Sequence, residues 1–121
     1  MSEHNELGKR GENIATEYLT EKGYIILDRN WKFKREEVDI IARDKEYYVF
    51  IEVKTRADDY FETPEKAVTR AKQKKIITVA NEYIQSNDIE EEARFDIISI
   101  ILKGAEEPKI NHIEDAFYAT L

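Results

Sequence analysis

Glu37-Val38-Asp39-Ile40-Ile41-Ala42, then Arg43-Asp44-Lys45-Glu46, then Tyr47-Tyr48-Val49-Phe50-Ile51-Glu52-Val53-Lys54-Thr55 is the stretch whose reading decides the fold. Its two outer segments are rich in β-branched and aromatic residues, and the middle has turn composition, so the stretch predicts a β-hairpin. Side chains alternate along a strand. In the second strand Tyr48, Phe50, Glu52 and Lys54 share one face, and Val49, Ile51 and Val53 the other. In the first, Val38 and Ile40 share one face, and Glu37, Asp39 and Ile41 the other. A two-residue loop at Asp44-Lys45 sets Asp39 opposite Phe50 and Glu37 opposite Glu52. Asp39 and Glu52 are then diagonal neighbours on one face, their backbones roughly 7–8 Å apart. Any even loop keeps that shared face, whereas an odd loop separates the two acids unless a bulge restores them.

Two carboxylates from adjacent strands suit Mg²⁺, a hard ion that takes oxygen ligands and keeps several waters, and Mn²⁺ is expected to substitute. Glu37, on the same face, is a third candidate ligand beside Asp39 and Glu52. A retained water would act as nucleophile on a phosphodiester. Lys54, an ammonium beside two carboxylates, stays protonated and offsets charge in the transition state rather than acting as a base. The plainer reading of Glu52 and Lys54 is a solvated ion pair on a strand face. Three features favour a site: the central place of Glu52 in an apolar strand, an acid interrupting a second apolar strand at hairpin distance, and a basic helix soon afterwards.

Outward from the hairpin, Leu7, Ile14, Ala15, Tyr18 and Leu19 recur at helical spacing and predict a helix over 6–22 that Gly23 ends through a positive φ. Tyr24 to Leu27 reads as a strand, and Asn30 to Arg35 interleaves aromatics with basic residues. A polar connector over 56–62 leads to Thr63-Pro64, an N-cap and first-turn proline, opening one helix that reaches about Gln85. Val68, Ala71, Ile76, Val79, Ala80 and Tyr83 form its buried side. Phe95 to Leu102 is a strand covered on both faces, and Ile110 to Ile113 adds an edge strand, with Phe117 and Tyr118 packing back. The tyrosines, Tyr60 included, read mostly as core or rim. The order is α-β-β-β-α-β with a short β tail, an α/β fold with a mixed central sheet flanked by helices, in a single domain over residues 1–121.

Cysteine is absent, so disulfides, thiolate zinc sites and a cysteine nucleophile are excluded. His4 and His112 lack metal-like spacing, and there is no Gly-rich phosphate loop. The charged start and the lack of a long apolar run predict a cytoplasmic chain that engages no membrane. The net charge of −7 argues against coating nucleic acid by bulk electrostatics. A local basic face nevertheless exists: Lys66, Arg70, Lys72, Lys74 and Lys75 fall within ten residues that contain no acid. Lys66, Arg70 and Lys74 are spaced four apart, facing one side of the second helix, where they can track phosphates, with Arg56 and Lys32 as further candidates. The expected partner is nucleic acid, DNA before RNA. Trp31 and Phe33 can stack on an unpaired base, although core packing is the commoner role for Trp31.

Glu37-Val38-Asp39 followed by Phe50-Ile51-Glu52-Val53-Lys54-Thr55-Arg56 resembles the bacterial YraN family, uncharacterised protein family UPF0102. The match continues through Gly8, Gly11-Glu12, Ala15, Asn30-Trp31, Lys72-Gln73 and Arg94-Phe95-Asp96. The resemblance implies a restriction-endonuclease-like fold, similar to archaeal Holliday junction resolvases, and a Mg²⁺-dependent nuclease. It also implies that Glu12 completes the acidic set and that Gln73 supports the site from the second helix. The plainer readings are an acid near a helix N-terminus for Glu12 and a solvated polar residue for Gln73. The family usually has glycine where this chain has Glu36, a change that would repel phosphate or supply another ligand. Two functions follow: a metal-dependent nuclease acting on DNA, branched or single-stranded forms included, or a non-catalytic module that binds nucleic acid or docks a partner. A homodimer fits the first, because one small site cuts one strand.

Overall fold

The computed structural model describes residues 3–57 and 61–118, with side chains from Glu6 onward. Tyr60 and the side chain of His4 lie outside these described residues. The elements are α1 (Glu3–Glu21), β1 (Ile25–Phe33), β2 (Glu36–Asp44), β3 (Tyr47–Arg56), α2 (Pro64–Ala67), α3 (Arg70–Ser86), β4 (Ala93–Ile101) and β5 (Lys109–Phe117). The five strands form one mixed sheet in the order β1-β2-β3-β4-β5. Only β3 and β4 run parallel, because the α2–α3 segment carries the chain back across the sheet between them.

Each face of the sheet is covered. Ala15 and Leu19 of α1 pack with Ile40, Ala42, Val49, Ile51, Ile98 and Ile100. Ile76, Val79, Ala80 and Tyr83 of α3 pack on Val38, Ile41, Phe50, Phe95 and Ile97. Burial on both faces explains why β3 and β4 read as nearly continuous apolar runs. Among the described residues, no helix is long and apolar enough to cross a membrane.

The α/β class, the mixed sheet with flanking helices and the element order agree with the sequence. Gly23 has φ 96° at the end of α1, as expected. Several details differ. The β2–β3 turn is Lys45-Glu46, with Lys45 at φ 56°, and pairs Asp44 with Tyr47, Ile41 with Phe50 and Ile40 with Ile51. The register expected from an Asp44-Lys45 loop is therefore corrected: Asp39 lies level with Glu52, not Phe50, while the even loop length holds. Val38 joins the α3-side core with Ile41 while Ile40 packs toward α1, so the strict alternation expected across Val38, Asp39 and Ile40 is broken at Asp39.

The long helix is also corrected. It is split by Val68, which is extended (φ −134°, ψ 105°) and buried, and it restarts at Thr69, whose hydroxyl accepts from the Lys72 N–H. A buried β-branched residue followed by a new N-cap breaks the helix. Lys66 consequently sits on α2 and does not share a helical face with Arg70 and Lys74. Ala71 is exposed rather than buried. β1 runs on through Asn30-Trp31 to Phe33, and β5 reaches Phe117, whose ring stacks on Phe95 at 5.2 Å. Tyr118, expected to pack back, is 70% exposed.

Candidate functional site

The site arises where the sheet forks. Pairing between β2 and β3 ends at Ile40 and Ile51, although β2 starts at Glu36 and β3 continues to Arg56. Beyond that point β2 stays with β1, and β3 stays with β4. Asp39 fills the opening: its Oδ2 accepts the Val53 N–H at 2.8 Å, replacing the lost ladder bond with a side chain. The β1–β2 ladder also skips the level of Asn30 and Asp39, and Asn30 adopts a left-handed φ of 51°, a conformation asparagine tolerates.

Glu52 lies beside Asp39, and each is only 7% exposed. Among the described residues, the buried Glu52 Oε2 has no hydrogen-bond partner. An apolar strand thus delivers a carboxylate to an interior position and leaves one of its oxygens unanswered, a costly arrangement for a merely structural residue. Burial, followed by the charge and hydrogen bond of Asp39, pushes the Glu52 pKa well above its ordinary value, up to about 9, with Lys72 and Lys54 pulling it down. Like charges at this spacing do not both ionise readily, which is how the Asp39 charge raises Glu52.

Glu12 reaches the same opening from α1. Its approach depends on Gly11: a methyl there would land inside the Thr55 side chain, so only glycine lets α1 lie this close to β3. Asn30 donates to Glu12 Oε1 at 3.0 Å, and Arg29 lies 3.7 Å from the same oxygen. Burial and then the charge of Asp39 raise the Glu12 pKa, Asn30 and Arg29 lower it, and Glu37 raises it further. Glu12, Asp39, Glu37 and Glu52 are therefore electrostatic neighbours drawn from α1, β2 and β3.

Other expected residues are distributed around this centre. Lys54 is exposed on β3, bordering a small recess with Arg56, Phe61, Glu62 and Ser99. Arg56 is ion-paired with Glu62. Gln73 donates to the Val68 carbonyl at 3.1 Å, bracing the α2–α3 junction. With Arg70 and Lys74 it lines a groove of about 590 Å³ that Phe117 and Tyr118 close from the other side. Lys32 lies in a separate cleft with Lys34, Arg35, Glu36, Glu37 and Lys72. Glu36 lies 3.7 Å from Lys75, so its charge has a cation beside it. Trp31 packs edge-on against Tyr83 at 5.1 Å and belongs with the core.

The sequence places Lys72 in the basic segment but gives it no role in the site. The missed signal is periodicity: Lys72 is one turn before Ile76 and extends the buried stripe of Ile76, Val79, Ala80 and Tyr83 past the core to the fork. A lysine in register with a helix's buried face points inward, not to solvent.

The donor set suits a hard divalent cation, which takes a few carboxylate oxygens and keeps waters. The unpartnered Glu52 Oε2 beside Asp39 is the specific observation that fits one. Among the described residues, no group of three or more acidic or histidine side chains is already gathered in metal-binding geometry.

The model of the uncharacterised protein family UPF0102 matches residues 11–100. A UPF0102 protein of Flavobacterium psychrophilum is 48% identical over 118 residues, covering 98% of each chain. One from Bacteroides thetaiotaomicron is 45% identical over 121 residues, covering 100% of this chain and 99% of its own. One from Rhodococcus opacus is 41% identical over 118 residues, covering 97% of this chain and 100% of its own. With nearly the whole sequence matched, and with the fork residues Glu12, Asp39, Glu52 and Lys54 all inside the matched span, this chain belongs to family UPF0102.

Proposed function

We propose that this chain is a metal-dependent nuclease that hydrolyses phosphodiester bonds in DNA, branched or partly single-stranded forms included. The observation that carries this reading is the buried Asp39–Glu52 pair at the sheet fork, one oxygen of which has no partner. Mg²⁺ or Mn²⁺ held by these carboxylates would supply Lewis acidity and a water of lowered pKa. Asp39 is oriented by the Val53 N–H, which donates to its Oδ2. Glu52 must give up its proton before it can serve as a ligand, so binding should strengthen as pH rises. Glu12, steadied by Asn30, and Glu37 border the pair and are suited to hydrogen-bond ligand waters. Lys54 adds positive charge that offsets the build-up on a reacting phosphate. Arg70 and Lys74 on α3, Lys66 on α2 and Lys32 on β1 supply positive charge for flanking phosphates.

A second reading, a nucleic-acid-binding module without turnover, is favoured by one observation: among the described residues, no preformed set of three acidic ligands exists. Manganese titration followed by electron paramagnetic resonance separates the two readings. The nuclease reading expects stoichiometric Mn²⁺ binding that tightens from pH 6 to pH 8 and is lost in Asp39→Asn. Equal, weak binding by wild type and variant would support the module.

A further inference from the structure

Glu52 feels two lysines from different directions. Lys54 follows it on β3 and is exposed, whereas Lys72 comes across from α3 in line with the helix's buried stripe. Lys72 also lines the cleft between the first turn of α3 and the β1–β2 turn, with Lys32, Lys34 and Arg35. Lys34 has a left-handed φ of 59° in that turn, and its ammonium lies over the Phe33 ring. The cleft holds two acids as well. Glu36 lies beside Lys75, a cation outside the cleft lining, and Glu37 lies in the field of Glu12. Among the described residues, Lys32, Lys34, Arg35 and Lys72 form no salt bridge, in a chain whose net charge is −7. These four cations, of which Lys72 also lies in the field of Glu52, form a seat for an anion that must come close to the buried acidic pair.

We propose that this cleft receives a backbone phosphate of the nucleic acid and that Lys72 is the residue that contacts it beside the acidic pair. The proposal rests on the nucleic-acid reading given above and deepens it. The groove lined by Arg70, Lys74 and Tyr118 lies on another face of α3. Residues 70 and 74 fall about half a turn from Lys72 around the helix axis, so they cannot reach the same phosphate. Lys72 carries its charge to the fork, and they carry theirs to the strand beyond it.

The test is fluorescence anisotropy of a labelled DNA flap, with duplex and single-stranded arms, titrated at several salt concentrations in EDTA. Lys72→Met is compared with Lys72→Arg and with Lys45→Met, the same charge change at the far end of the β2–β3 hairpin. Lys72→Met should weaken binding on the order of 10-fold and reduce the log–log salt slope by about 0.7–0.9. Lys72→Arg should restore most of the affinity, and Lys45→Met should match wild type. Binding by wild type with Lys72→Met indistinguishable from Lys45→Met would overturn this proposal and leave the nuclease reading standing. No binding by wild type would overturn both.

Discussion

Replacing Glu52 with glutamine should stabilise the metal-free protein above neutral pH while removing its response to Mg²⁺. Asp39 and Glu52 stand one residue beyond the last paired level of β2 and β3, where the ladder spacing is about 5 Å. At an effective dielectric of about 20, two unit charges at that distance would repel by about 3 kcal/mol, which caps what keeping the extra proton costs the folded state above neutral pH. The glutamine amide inherits a buried position with an unpaired group, costing about 1 kcal/mol, so the net gain is roughly 1–2 kcal/mol. For a chain of this length that is a rise in Tm of roughly 4–8 °C. The sign with pH follows from linkage. The folded pKa of Glu52 is raised above its ordinary 4.5 to about 9, so between those values the folded state holds the extra proton and wild-type stability falls as pH rises. Below pH 4.5 the term is fully favourable and the advantage of glutamine disappears. Calorimetric melting in EDTA from pH 4 to 9 measures this directly. A variant less stable than wild type at pH 8, or a difference that does not change with pH, would refute the reasoning.

Gly11→Ala should cost about 1–3 kcal/mol in urea unfolding, because the new methyl overlaps Thr55 and pushes α1 off β3; a neutral result would mean the helix yields freely. On the α1 face, fully buried Asp96 accepts from Arg94, from the Asp115 N–H and, across a 2.8 Å contact, pairs with His112, whose side chain is 4% exposed. Although burial opposes it, the His112 and Arg94 contacts hold the Asp96 pKa below its ordinary 3.8. Its contribution is therefore present above that value and lost as pH falls below it. Asp96→Asn should cost about 2–3 kcal/mol at pH 7 and flatten the acid-unfolding profile, and an unchanged profile would remove Asp96 from the account. Lys75→Ala should leave Glu36 without its cation and weaken DNA binding more than Lys45→Ala does, by the same anisotropy titration; equal effects would show that the Glu36 charge does not matter there.

Much of the fold was legible because burial leaves a mark on composition. The apolar runs of β3 and β4 and the stripe of α3 announce two covered sheet faces, and Gly23 announces a helix end. The hairpin register was not legible, since Asp44-Lys45 and Lys45-Glu46 are equally good turns and only the paired strands choose between them. Loop parity survived that error, so Asp39 and Glu52 still met. The fork at Ile40 and Ile51 left no trace, because a side chain substituting for a ladder bond has no sequence period. Thr69 carried a readable signal, a second N-cap inside what looked like one helix, but Thr63-Pro64 masked it. Lys72 reads in sequence as one more cation of the basic segment, although its distance from Ile76 and Val79 puts it on the buried stripe.

The most direct test of the central claim is single-turnover cleavage of labelled duplex, single-stranded, flap, four-way-junction and RNA substrates with Mg²⁺ or Mn²⁺, comparing wild type with Glu52→Gln. The account predicts metal-dependent cutting of at least one DNA substrate by wild type and none by the variant. Equal background in both, with tight binding retained, would contradict it.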